Sequence, residues 1–242
     1  MANHPNRSRK ISRPSKLLRK VNEKFPHAWE AYENYRLQRG KNFLSWPDWC
    51  YCPQDVAHAF DSENGKNRTL SQETIEIAAL AAWRLGQGIY RFDPALVDAI
   101  MAEQPSFSVT EIVNLPEWCL YIDAPPRLEI YGCFAFLDYS GSDQPPTLYL
   151  LLDTAEQLQA ISLKLSPDEI MGEIRQHNIA VQPVIISLLQ LLIFICTKAN
   201  YGPDQRPPCR PRPKRTKSGW KMFAPNKPVI FNLTAENRWD SG

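Results

Sequence analysis

WCLYIDAPPRLEIYGCFAFLDYSGSDQPPTLYLLLDT, residues 118–154, decides the fold class. Three short apolar, aromatic-rich runs stand out in it: WCLYID, IYGCFAFLDYS and PTLYLLLDT. PPRLE and GSDQPP separate them, and the proline, glycine and aspartate of those segments end strands and make turns. The pattern predicts three strands of an antiparallel meander, with QAISLKLS at 159–166 as a candidate fourth.

Upstream of the meander the period is helical. Ser71 is a suitable N-cap, and Ile75, Ala78, Ala79, Ala82 and Leu85 then fall on one apolar face. Gly86 and Gly88 weaken the end of that helix. Asp93 followed by Pro94 marks the cap and first turn of a second helix reaching about Met101. A short third piece, SVTEIVNL, leads into the meander.

Downstream, Pro167, Asp168 and Glu169 open a helical segment, followed by an apolar helix from about Val181 to Thr197. Its most apolar stretch, VIISLLQLLIFIC, has 13 residues and includes Ser187 and Gln190. A bilayer span needs about 20 residues, so this is a buried helix. The basic N-terminus has no apolar run after it and is not a secretory signal. A soluble cytoplasmic protein with no membrane partner is expected.

Charge divides the chain. Seven of the 28 Lys/Arg lie in residues 1–20 and nine in 205–242, where Glu236 and Asp240 are the only acids; residues 21–204 therefore keep 12 bases against 24 acids. Residues 1–17 are proline-broken and are expected to form a basic disordered tail. Helical character runs from Leu18 to about Arg39, with a turn at Pro26, and 40–68 resembles loop. Residues 205–242 form a Pro-rich basic extension with a short strand, PVIFNL. The expected architecture is α+β: a single core domain, 18–204, in which helices flank a small antiparallel sheet of three to four strands, with basic flexible tails. Such tails suit a polyanion, RNA or the ribosome surface, or else lie on the acidic body.

WPDWCYCP at 46–53 and NLPEWCLYID at 114–123 both place proline, an acid, tryptophan and cysteine in succession. Their flanks do not align further, so a duplicated domain is not expected. Each is read as a corner, with proline fixing the approach, the acid facing water or capping, and Trp-Cys turning inward. Among the six cysteines only Cys50 and Cys52 are close in sequence, with His58 the sole nearby imidazole, and no paired CxxC knuckle is present. Cys119, Cys133 and Cys196 lie in apolar runs, where a free thiol behaves as a small hydrophobe. No metal or cofactor is expected.

None of the four histidines stands in a nucleophile–base pattern, and GQG at 86–88 lacks the spacing of a phosphate-binding loop. Asp123, Asp138 and Asp153 end three successive expected strands, but aspartate is also a common turn former there. No enzyme signature emerges. The tryptophans and tyrosines around the two corners are read chiefly as core, or else as the wall of a groove whose acidic rim would favour a basic peptide.

AWRLGQGIYRFDPALVDAI at 82–100, followed by IVNLPEWCLYIDAP at 112–125, resembles the second of the AcrVA families. These are anti-CRISPR proteins of mobile elements that act against the type V-A CRISPR nuclease. GCFAFLDY, LYLLLDT, VIISLLQLLIFICTKANY and RPKRTKSGWKMFAPNKPVIFNL follow in the family's order, so the similarity runs from about residue 70 to 233. The longer relatives continue into an arginine- and histidine-rich segment, and the resemblance is to a member with a shortened C-terminus. It implies recognition of the nuclease's nascent N-terminal polypeptide, followed by loss of its transcript, with no nuclease site required in the protein. Chemistry and placement then single out Trp83, Tyr90, Trp118 and Tyr121 as pocket walls, and Arg84, Glu117 and Asp123 as polar contacts to the peptide. Arg206, Arg210, Arg212, Lys214, Arg215 and Lys217 are the candidates for ribosome or nucleic-acid contact. The alternative is a nucleic-acid-binding regulator of a mobile element that acts through its basic tails.

Overall fold

The computed structural model describes residues 11–41, 45–54, 71–104, 109–166, 170–199, 201 and 207–235. Residues 1–10 of the expected tail, His58 with most of the 40–68 loop, the expected helix start at 167–169, and Arg206 lie outside the described residues.

The first two helices are α1 (Arg13–Lys24) and α2 (Ala28–Arg36), broken at Phe25-Pro26-His27. Helix α1 therefore begins inside the segment read as disordered. Pro14 occupies its first turn, where a missing N–H costs nothing, so the residue read as a breaker is a starter. Arg13 fixes the helix to the body through Nε and Nη2 bonds of 2.5 and 2.7 Å to the Asp153 carboxylate. Its guanidinium also lies 3.6 Å from the Tyr131 ring centroid. Asp153 is buried and accepts a third bond, 3.0 Å, from the Tyr121 hydroxyl. Arg13→Ala is expected to cost about 2 kcal/mol, read as a lower urea midpoint, because it leaves a buried carboxylate with one neutral donor.

Helix α3 (Gln72–Gly86) has the expected cap, with Ser71 Oγ accepting from the Thr74 N–H. It stops at Gln87, whose φ of 56° ends the helical path, and the chain enters β1 (Gly88–Phe92) directly. Helix α4 (Pro94–Ala102) follows, capped by Asp93 Oδ1 on the Ala95 N–H at 2.9 Å. A short α5 (Val109–Ile112) leads to the expected meander: β2 (Cys119–Asp123), β3 (Gly132–Asp138), β4 (Thr147–Asp153) and β5 (Leu158–Lys164). Then come α6 (Ile170–Arg175) and the apolar α7 (Gln182–Thr197). A hairpin of β6 (Lys214–Thr216) and β7 (Gly219–Lys221) precedes β8 (Val229–Leu233).

The α+β class stands, but the sheet is larger than three to four strands and is mixed. Its order is β5-β4-β3-β2-β1-β8, six strands, with β1 parallel to both β2 and β8. Two strands account for the difference. β1 was hidden in the tail of a helical pattern. β8 leaves the expected extension to pair with β1 from Gly88↔Val229 to Phe92↔Leu233. The C-terminal segment is thus built into the sheet over the described residues and is not a flexible tail there.

Helices cover both faces. Leu120, Ile122, Cys133, Ala135, Leu148 and Leu150 point to the side occupied by α4, α6 and α7. Cys119, Tyr121, Phe134, Phe136, Tyr149 and Leu151 point to the side of α1, α2 and α3. That two-sided burial is why β3 and β4 are apolar runs and do not alternate. Gln190, the polar residue in the midst of α7, donates to the carbonyls of Ile100 and Glu103 at 3.3 and 3.2 Å and so satisfies the end of α4. Among the described residues no helix is long and apolar enough to cross a membrane.

Candidate functional site

The two Pro-acid-Trp-Cys corners pack on one another. Trp118 donates from Nε1 to the Asp48 carbonyl at 2.8 Å, and its ring lies 5.1 Å from that of Tyr51. Arg36, at the end of α2, joins them: Nη1 reaches the Cys50 carbonyl at 2.8 Å and Nη2 the Asp48 carboxylate at 2.6 Å. The same guanidinium lies 4.5 Å from the centroid of Trp118. Burial pulls Arg36 below its ordinary value while Asp48 opposes the shift.

The acids of the two corners do different work. Asp48 is open to water and pairs with Arg36, as expected of a corner acid. Glu117 does not face water: it is 3% exposed, and its carboxyl covers Gly86 and Gly88. An added Cβ on Gly88 would stand 2.8 Å from Glu117 Cδ and 3.1 Å from Tyr90 Cε2, so GQG is a notch cut for this carboxyl. The Tyr90 hydroxyl donates to Glu117 Oε2 at 3.0 Å. Burial pushes Glu117 up to about 8, against the opposing effect of that bond.

The four proposed wall rings are not brought together. Register pairs Ile89 with Tyr121 and Tyr90 with Ile122, which puts Tyr90 and Tyr121 on opposite faces of the sheet. Tyr90 stacks on Phe231 at 4.9 Å on one side, while Trp83 meets Phe134 edge-on at 5.8 Å on the other. Trp83 is fully buried, with Nε1 donating to the Gly88 carbonyl at 2.9 Å. These three rings are core, and Trp118, 3% exposed, is buried with them. Arg84 forms an ion pair with Glu33, and Asp123 pairs with Arg91 at 2.6 Å on the surface.

Nor do the three strand-end aspartates meet. A meander alternates ends, so Asp138 pairs with Thr147 at the end opposite Gly132 and Asp153. Asp138 accepts from the Gln54 N–H at 2.8 Å, whereas Asp153 holds Arg13. Among the described residues no group of His, Cys, Asp and Glu is placed to hold a metal. Cys50, Cys52, Cys119 and Cys133 are buried free thiols, all pushed up by burial.

Beside this packed corner lies a cleft of about 1050 Å³, to which the buried Trp118 contributes no more than an edge. Four segments line it: the end of α2 and its continuation, Asp48 of the first corner, the Asn114–Trp118 corner, and the proline-rich strap 208–214 with Trp220 and Met222 beyond it. The Arg210 Nη2 atom donates to the Leu115 carbonyl at 2.6 Å and ties the strap to the corner. Sequence reasoning expected an acidic rim, but the cleft is basic. Arg36, Arg39, Lys41, Arg210, Arg212 and Lys214 line it against Asp48 alone. Of the C-terminal candidates, Arg210, Arg212 and Lys214 face it, Arg215 pairs across the hairpin with Trp220, and Lys217 lies in the exposed turn. Arg36, Arg39 and Lys41 were missed, because cations on and after a polar helix look like a solvated face. Trp220 was missed too, although an indole between Gly and Lys in a basic stretch has no apolar neighbours to bury it.

The fold is similar to that in the crystal structure of AcrVA2, with a TM-score of 0.72, 18% identity, and 93% of this chain and 84% of that chain aligned. No curated protein matches the chain. The family model for AcrVA2-like proteins, the anti-CRISPR type V subtype A2 family, matches residues 90–237. That span takes in every strand from β2 to β8, the Pro-Glu-Trp-Cys corner and the whole C-terminal side of the cleft, and the chain belongs to the AcrVA2-like anti-CRISPR family.

Proposed function

We propose that the protein recognises the nascent N-terminal polypeptide of the type V-A CRISPR nuclease and lowers production of that nuclease through loss of its transcript. Membership of the anti-CRISPR family over residues 90–237 carries this reading. The basic cleft formed where the C-terminal segment folds onto the body supports it, as a surface suited to a polyanion such as the ribosome or the message. The buried rings of Trp83, Tyr90 and Tyr121 shape the body from within. Trp118 is buried as well and meets the cleft only at its edge, so Asp123, at the surface, is the expected contact left most open to a peptide.

The test is a reporter carrying the nuclease's N-terminal coding sequence in front of an unrelated gene, expressed with and without this protein. Reporter protein and transcript are expected to fall together, several-fold. A synonymous recoding that keeps the peptide should preserve the effect, and a frameshift that keeps the nucleotides should abolish it. Equal reporter output in the presence and absence of the protein would refute the reading.

A further inference from the structure

We propose that the basic cleft is a binding site for single-stranded RNA, with phosphates held by Arg39, Lys41, Arg210, Arg212 and Lys214 and a base stacked on Trp220. The inference rests on the transcript-loss part of the proposed function, and supplies a direct contact with the message.

Charge comes first. Asp48 is the one acid in the lining, and Arg36 and Arg39 already use it, at 2.6 and 3.4 Å. Lys41, Arg212 and Lys214 form no ion pair among the described residues, and Arg210 feels Asp48 only through space. Burial also pulls Arg210 below its ordinary value, and its Nε atom is buried without a hydrogen-bond partner among the described residues. The bond to Leu115 fixes this guanidinium in the cleft wall, and its charge, not the buried Nε, is what it offers an anion.

Spacing comes second. Residues 207–213 have no helix or strand pairing, and prolines at 207, 208, 211 and 213 hold them extended. The backbone at 210, 212 and 214 then advances about 6 Å per step, at roughly 3.1 Å per residue, and all three cations line the cleft, so a strand laid along it meets them in succession.

Aromatic surface comes third. Trp220 is 56% exposed, unusual for the largest apolar side chain, and sits opposite Arg215 with Lys214 and Lys221 as the next pair. A flat indole flanked by cations at the mouth of a basic groove is the arrangement that receives an unstacked base. An acidic peptide would use the cations, but only one carrying an apolar side chain in register would also cover the ring. A duplex buries its bases and cannot stack on it.

The experiment uses the full chain and a fluorescent 12-nucleotide RNA without secondary structure, titrated at several salt concentrations. Four unpaired cations and the Asp48-paired Arg39 predict a slope of log K against log salt between about −2.8 and −3.5, at roughly −0.7 per contact on a single strand. Arg212→Ala with Lys214→Ala should flatten the slope by about 1.4 and weaken binding at least tenfold at low salt. Trp220→Ala should weaken binding about tenfold with the slope unchanged, because stacking involves no counterion. All three side chains are exposed, so thermal midpoints should not move.

Equal competition by oligo-glutamate, or equal binding of duplex RNA, would overturn the assignment, as would variants that bind like the parent. Single-stranded DNA binding more tightly than RNA of the same sequence would overturn it as a transcript site. The leader reporter separates the two proposals. Leader-dependent repression by a chain that binds no RNA would sink the cleft assignment and leave the function standing. RNA binding as described, without leader-dependent repression, would do the reverse.

Discussion

Gly132→Ala is expected to destabilise the protein by about 3 kcal/mol or more, seen as a large drop in urea midpoint, from the loss of a methyl-sized space. An added Cβ there would lie 2.7 Å from the Ile122 carbonyl oxygen and well inside contact with the Tyr121 ring and hydroxyl. The carbonyl is backbone of β2, fixed by pairing on both sides with β1 and β3. The ring cannot swing away cheaply. Its hydroxyl is bonded to buried Asp153, and its edge meets Phe134 at 4.8 Å. Displacing it would also disturb the carboxylate that anchors Arg13 and α1.

Gly172→Ala is the matched control. It lies within α6 with nothing within 4 Å of an added Cβ, so it should be neutral or stabilise by about 0.5–1 kcal/mol. Equal midpoints for the two variants would mean that the Tyr121–Asp153–Arg13 corner does not hold the sheet as described. Tyr121→Phe isolates the hydroxyl: it keeps the ring over Gly132 and removes only the bond to Asp153.

The four antiparallel strands were legible because each is a local signal, an apolar run closed by turn residues. β1 was not. Its five residues follow a helix of 15 without a loop, and the helical period carries through Gly86-Gln87-Gly88 unless Gln87 is known to be left-handed. β8 was visible as a strand, but its pairing with β1, more than 130 residues away in sequence, is a long-range choice that no local pattern records. At the site, tryptophan and tyrosine were rightly judged chiefly core, yet their grouping into one wall failed on strand parity. The sign of the cleft failed for a different reason. A net excess of acids over 21–204 averages the whole surface, whereas the cleft takes its cations from α2 and from the strap.

Glu117→Gln is expected to remove most of the pH dependence of stability between about 5 and 8. In the unfolded chain Glu117 titrates at its ordinary value of 4.5, and in the folded protein at about 8. Between those limits the native state holds a proton that the unfolded state has released. Unfolding therefore becomes easier as pH rises, by up to about 1.4 kcal/mol per pH unit from this group. The stabilising contribution is complete below pH 4.5, declines through neutrality, and is lost above about 8. Glutamine has nearly the same shape, stays neutral, and can still accept from Tyr90, so it should fill the notch over Gly86 and Gly88 at every pH. The variant should gain most at pH 8, by several kcal/mol, and almost nothing at pH 4.5. Tyr90→Phe gives the opposing arm: without the hydroxyl that favours the charged form, the folded value climbs further and the decline extends to higher pH. Urea midpoints at about pH 5, 6.5 and 8 decide the matter. Parallel pH slopes in the parent and the Glu117→Gln variant would show that this carboxyl is not held neutral by burial. The distinction bears on the cleft as well, since Glu117 sits between Pro116 and Trp118, both of which line it. A proton lost from Glu117 places an uncompensated negative charge directly behind the wall on which the basic site is built.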